Sequence, residues 1–270
     1  MFKQRILKMS SREFEKLSKF IHVYAIYINL LIIFRTIIFQ QTIYYHIFLL
    51  LGVIYLILAF DIIQSVKKAL RYILHGEKDL KKYRAFLEAE QSSLKNWKIH
   101  KILRAQSYLN FAILTFHEGN FRKSITFLDK ITIDTFPRLS RKAMTIEKSF
   151  LLAFNYLLLG ESLQFEIYYQ NLLNIEGNKK VTALKNRYLT FLETFRDLLL
   201  LEKENHFFDD RPKEGSLSDY FNLYCSGLNA KLMEDGESAK KYFGELAKES
   251  SDFYFVREAK RQLAELTVLQ

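Results

Sequence analysis

The sequence predicts an all-α protein: a two-helix transmembrane hairpin followed by a solenoid of paired α-helices. Three observations predict it. Residues 20–39 and 43–63 are apolar runs only three residues apart, each long enough to cross a hydrocarbon core of roughly 30 Å. From Lys101 onward apolar residues recur at spacings of three and four, the period of an amphipathic helix, with almost no strand-type alternation. The only prolines are Pro137 and Pro212, so little interrupts long helices. Four segments follow: a basic cytoplasmic tail (1–19), the hairpin (20–64), basic juxtamembrane helices (65–100) and a helical domain (101–270).

In the tail, Ser10-Ser11-Arg12-Glu13 has the form of a capping box. It is expected to open a short helix that lays Phe14 and Leu17 on the inner leaflet. The first apolar run holds twelve Leu, Ile or Phe residues. Their insertion gains about 4 to 8 kcal/mol, against at most about 3 kcal/mol for Arg35, which sits near the outer end and can snorkel. Asn29 is placed to bond across the hairpin or between copies, and Asp61 lies near the inner end of the second run. The linker Gln40-Gln41-Thr42 is uncharged, whereas residues 1–20 hold six Lys or Arg against two acids and residues 67–104 hold eleven against four. The positive-inside bias then predicts a two-span cell-membrane protein with both termini cytoplasmic.

The net charge of +10 is therefore juxtamembrane, which points to anionic membrane lipids and away from nucleic acid. Lys3, Arg5, Lys8, Arg12, Lys67, Lys68 and Arg71 are the expected membrane-surface residues. After the second run, Val66, Leu70, Ile73 and Leu74 fall at helical spacing until Gly76 interrupts. A further helix from about Glu77 to Trp97 places Leu80, Tyr83, Leu87 and Leu94 on one stripe, as a stalk, a coiled-coil contact or a packed helix. Trp97 suits a buried or an interfacial anchor.

The helical domain opens with a pair in which Tyr108, Phe111 and Ala112 give a large, large, small pattern. Gly119-Asn120-Phe121 makes the turn, and Leu128 and Pro137 follow. A second pair has Leu152, Ala153 and Tyr156, the turn Gly160-Glu161-Ser162, then Phe165, Tyr169 and Leu172. A last pair has Leu223, Gly227 and Ala230, a turn around Asp235-Gly236, then Ala239, Phe243 and Leu246. Over residues 101–266 these patterns resemble tetratricopeptide repeats, with Ser124 and Phe165 where that family prefers Ala, and with a repeat spacing longer than about 34 residues. Between the pairs, Val181–Leu201 reads as a long amphipathic helix and 206–218 as a loop broken by Pro212 and Gly215. Asp252–Leu266 reads as a terminal helix covering an exposed end.

The resemblance implies a partner-binding groove lined by Leu109, Ile113 and Phe116, then Phe150, Phe154 and Leu157, then Tyr224, Leu228 and Lys231; the same stripes are equally what core packing would produce. No chemistry competes with this. The six histidines lack metal-ligand spacing, and there is no phosphate-cradling glycine loop or nucleophile elbow. Glu204, His206, Asp209 and Asp210 could gather round a cation but suit a solvated connector. Cys225, the one cysteine, excludes an internal disulfide and reads as a small buried residue. The expectation is a non-enzymatic protein without metal or cofactor, a membrane-tethered cytoplasmic scaffold or adaptor binding a protein or peptide client. The alternatives are an oligomeric subunit of a transport or secretion assembly, its hairpins associating through Asn29 and Gly52, and a peptide sensor using the concave face.

Overall fold

The computed structural model describes residues 2–10, 12–17, 64–94, 101–208 and 216–268, and among them every regular element is helical. No helix among these residues is long and apolar enough to cross a membrane. The longest, Arg138–Leu158 and Lys179–Leu199, are each interrupted by charge, at Arg141, Lys142, Glu147 and Lys148 in one and at Lys185, Arg187, Glu193 and Arg196 in the other. The expected two-span membrane location is thereby corrected and not carried forward. The runs on which it rested, 20–39 and 43–63, lie outside the described residues, as does Trp97.

The chain divides into two compact units, Met1–Lys98 and Ile99–Gln270. In the first, α1 (Phe2–Lys8) and the short helix α2 (residues 12–17) precede α3 (residues 64–72) and α4 (Leu80–Leu94). The capping box forms as the sequence predicts: Ser10 N–H donates to Glu13 Oε2 at 2.8 Å and Glu13 N–H to Ser10 Oγ at 3.3 Å. Those hydrogen bonds hold the Glu13 carboxyl below its usual range. Phe14, however, does not lie outward for a lipid surface. It is buried with its ring 4.6 Å from that of Phe86 on α4, because an apolar side chain is satisfied as well by protein as by lipid.

Between α3 and α4 the helix widens into a π turn, Ile73–Glu77, and stops at Lys78, whose φ of 55° places it in the left-handed region. Asp79 then caps α4 by accepting the Lys82 N–H at 2.8 Å. Leu80, Tyr83 and Leu87 are buried along one side of α4, so it is a packed helix rather than a free stalk. Burial also pushes the Glu90 carboxyl up to about 7, with the Lys67 charge opposing.

In the second unit, α5 (Lys101–His117) and α6 (Phe121–Asp129) form an antiparallel pair. So do α7 (Arg138–Leu158) with α8 (Ser162–Leu173), and α10 (Ser218–Leu232) with α11 (Gly236–Leu246). The single helix α9 (Lys179–Leu199) packs on α7, and α12 (Tyr254–Val268) packs on α11 and α10 and returns to α5. Short polar caps set the starts: Asn120 for α6, Asn178 for α9 and Asp235 for α11, each accepting a backbone N–H from its own first turn.

The pairs approach closely at small residues. Ser124 donates its hydroxyl to the Ala112 carbonyl at 2.8 Å and accepts Asn155 Nδ2 at 3.1 Å, so this departure from alanine ties the first pair to α7. At Gly227 a Cβ would stand 2.6 Å from the Phe243 ring, which fixes glycine where α10 crosses α11.

Two outcomes follow from this packing. Gly119 has φ +77°, and a Cβ there would meet Tyr254 Cδ2 at 2.7 Å, whereas at Gly160, φ +72°, it would meet no described atom within 4 Å. Gly160→Ala is therefore expected to cost about 1 to 2 kcal/mol of backbone strain, and Gly119→Ala clearly more, as read by denaturant unfolding. A carboxyl whose folded pKa is raised contributes nothing below its unfolded value and costs stability as pH rises toward the folded one. Thermal melts between about pH 4.5 and 7 should therefore show wild type losing stability relative to Glu90→Gln; parallel curves would contradict the assignment.

Candidate partner-binding surfaces

The stripe predicted to line a groove is the place to begin. On α5, Leu109 is buried in a cluster with Ile125, Leu128 and Leu152, and half-buried Ile113 packs against it. Phe116 and His117, at the C-terminal end of the same helix, face inward. On α7, Phe154 is only 1% exposed and sits at a meeting of rings: Phe195 at 4.7 Å, Phe116 at 4.9 Å, Phe191 at 5.3 Å, Phe150 at 5.8 Å and Phe221 at 6.1 Å. From α12, Phe255 inserts 5.0 Å from Phe221 and 5.1 Å from Tyr224. The C-terminal halves of α5, α7 and α9 thus converge on the N-terminal halves of α10 and α12, and the space between them is filled with aromatic side chains.

The structure accordingly brings Phe116, Phe154 and Tyr224 together, as the groove reading requires, but buries them. Leu109 and Leu157 are buried too. These five are core residues rather than an accessible lining: the chain's own aromatic rings, Phe255 among them, cover Phe116, Phe154 and Tyr224, and the cluster of Ile125, Leu128 and Leu152 covers Leu109. Phe150 is half-buried and stacks on Tyr188 at 4.2 Å, Leu228 is half-buried, and only Lys231 is exposed. Lys231 Nζ bonds Gln262 Oε1 at 2.7 Å and lies 3.4 Å from Glu265 Oε2, both on α12.

A clasp holds the terminal helix in place. The Arg257 guanidinium donates to three carbonyl oxygens, Glu118 at 2.6 Å, Ser251 at 2.9 Å and Asp252 at 3.0 Å, joining the start of α12 to the turn between α5 and α6. On the other flank, the Tyr169 hydroxyl of α8 donates to Glu193 Oε1 of α9 at 2.6 Å. Burial and that carboxylate push the phenol up to about 12. Neither arrangement supplies a reactive group; both consolidate packing.

What remains exposed and apolar lies outside. On α8, Leu163 is 74% exposed, Ile167 45% and Leu173 42%. At about 100° per residue they fall within a sector of roughly 120° that exposed Glu166 and Gln170 share, next to the sector of buried Phe165, Tyr169 and Leu172. The sequence carried this signal: a helix apolar on both sides has one side more than a single packing interface uses. At the C-terminal end of this stripe stand Lys185, whose Nζ bonds the Leu173 carbonyl at 2.8 Å, and Lys142, which bonds the Glu176 carbonyl at 2.8 Å. Lys179 and Lys180 follow at the start of α9, both exposed.

A second exposed apolar pair occupies the end of the unit where α9 and α10 finish. Leu201 is 58% exposed and Met233 51%. Asn205 N–H donates to Asn229 Oδ1 at 2.9 Å and ties the segment after α9 to the last turn of α10. Near them in the chain Glu202, Lys203, Glu204, Lys231, Glu234 and Glu237 are all exposed, charges of both signs.

Of the basic residues singled out in the first unit, Lys8, Arg12, Lys67, Lys68 and Arg71 are exposed, while the side chains of Lys3 and Arg5 lie outside the described set. Among the described residues no group of three or more His, Cys, Asp or Glu is placed to hold a metal ion. Glu204 Oε2 lies 3.9 Å from His206 Nε2, and Asp209 and Asp210 fall outside the described residues. No protein-family model, curated protein or solved structure matches this chain.

Proposed function

We propose that the second unit is a protein-binding module, a compact relative in style of tetratricopeptide arrays, that engages its partner through the outer face of α8 rather than through a concave groove. The observation that supports this reading is the set of Leu163, Ile167 and Leu173, large aliphatic side chains left 42–74% exposed on a helix that already packs through Phe165, Tyr169 and Leu172. Exposed apolar side chains grouped on one face mark contact surfaces more often than scattered ones do. The inner face would serve a client only after Phe255 and Phe221 were withdrawn from around Phe154, at the cost of several buried ring contacts. Binding, not catalysis, fits a surface of aliphatic side chains among which stand Glu166 and Gln170, bonded to each other.

Replacing two central anchors with charge tests this. Leu163→Asp/Ile167→Asp is expected to keep the helical signal and to lower the melting temperature only slightly, since Leu163 is 74% and Ile167 45% exposed. It should weaken capture of the wild-type partner by more than about 10-fold, the loss of at least one binding hot spot. Undiminished capture by a folded variant would place the contact elsewhere.

A further inference from the structure

Along the chain the second unit is nearly neutral: residues 101–270 hold 24 Lys and Arg against 23 Asp and Glu. In space the two signs separate, because of the order in which the helices alternate. α6 is antiparallel to α5, with which it pairs, and also to α7. Ser124 near its start meets Asn155 near the end of α7, while Ile131 just beyond its end accepts Lys148 Nζ at 3.0 Å. Phe150 stacks on Tyr188 and Phe154 meets Phe191 and Phe195, so α7 and α9 run in the same direction. The N-terminal ends of α5, α7 and α9 therefore stand side by side. At roughly 8–10 Å between neighbouring axes they make a row about 20 Å long.

This row is basic even after its acids are counted. Residues 101–107, 129–144 and 174–185, the first turns of those helices and the loops that lead into α7 and α9, hold nine Lys and Arg against three acids, Asp129, Asp134 and Glu176. The rest of 101–270 holds fifteen against twenty. Lys101, Lys130, Arg138, Lys142, Lys179 and Lys180 are exposed, as are the three acids, and Asp134 is already engaged by Arg141 at 3.3 Å. None of the three helices has an acid in its first turn. Cations there oppose the helix macrodipole, so they add nothing to helix stability; what they suit is a polyanion. An aromatic face borders them: Lys130 Nζ lies 5.4 Å and 5.8 Å from the ring centroids of half-buried Phe127 and Tyr108.

We propose that this end of the second unit binds single-stranded nucleic acid without reading its sequence. Nine cations against three acids leave a net charge of +6 over the row, which suits a strand with one phosphate per nucleotide whose condensed counterions are released on contact. The rings beside Lys130 favour nucleic acid over an acidic protein, because bases stack on an aromatic face next to a basic track and carboxylate side chains do not. A row of helix ends, rather than one helix laid lengthwise, does not enter a major groove, which favours a single strand over a duplex. The proposal is independent of the α8 reading. It departs from the expectation drawn from charge summed along the sequence, because that sum does not register charge gathered from three separate helices.

Fluorescence anisotropy of a labelled oligothymidylate of about 20 nucleotides, titrated with the purified full-length chain, tests it. The logarithm of the binding constant is expected to fall linearly with that of the salt concentration. Lys179→Glu/Lys180→Glu should weaken binding about tenfold or more at low salt, while the melting temperature stays level or rises, because acids suit the start of α9. The first unit has basic residues of its own, so Lys67→Glu/Lys68→Glu measures their share; combined with it, the reversal on α9 should still cost its tenfold. Tyr108→Leu, with unchanged circular dichroism, should weaken the oligonucleotide severalfold and leave a polyglutamate of similar length unaffected. Leu163→Asp/Ile167→Asp should change none of this. Oligonucleotide binding that is absent at low salt, or that the reversal on α9 leaves intact, overturns the proposal. So does a reversal that costs polyglutamate as much as oligothymidylate while Tyr108→Leu does nothing, which would assign this end to acidic proteins.

Discussion

Phe154 is the side chain on which the second unit depends. Rings from α5, α7, α9, α10 and α12 all stand within 6.5 Å of its own, mostly tilted or edge to face, the geometries that align a ring's positive edge with its neighbour's negative face. Each such pair adds about 0.5 to 1.5 kcal/mol beyond the area it buries. No stack of helix pairs obtains this from nearest neighbours alone. It requires α10 and α12 to come back onto α5 and α7, and the Arg257 clasp marks where they do so.

That convergence is possible because small and polar residues stand where helices must approach. Ala153 on α7 is fully buried, and Gly227 leaves the Phe243 ring room to lie against the α10 backbone. Ser124 and Asn155 work differently. Asn155 Nδ2 donates to Ser124 Oγ and to the Leu151 carbonyl, and Ser124 donates to the Ala112 carbonyl, so a buried polar chain links α5, α6 and α7. Removing one member would leave a buried group unpaired, a penalty of about 1 to 3 kcal/mol. The same chain therefore fixes the register between the first two pairs.

Filling the inner face has a consequence for recognition. The stripe predicted to line a groove is largely spent on the aromatic core instead, through Phe116, Phe154 and Tyr224. Among the described residues of this unit, the exposed large aliphatic side chains lie on α8, just beyond the ends of α9 and α10, and singly at Ile102 and Val268. The proposed recognition through the outer face of α8 follows from where apolar surface was left once the core closed.

By itself the sequence determined the local structure. Period-three and period-four spacing specifies helices, and Asn120, Asn178 and Asp235 announce where three of them start. Gly119 and Gly160 mark turns that need a left-handed residue, while Ala112, Ala153 and Gly227 mark the crossings. These are signals carried by neighbours in the chain. The fate of the inner stripe was not of that kind: Phe116 or Tyr224 has the same spacing whether it lines an open groove or meets Phe255 from more than thirty residues away. Only tertiary structure decided between them, because burial depends on which distant surface arrives to cover a side chain. The same reason hid Leu163 and Ile167, whose exposure is a property of what does not pack on α8, and turned Phe14 from an expected lipid contact into a partner of Phe86.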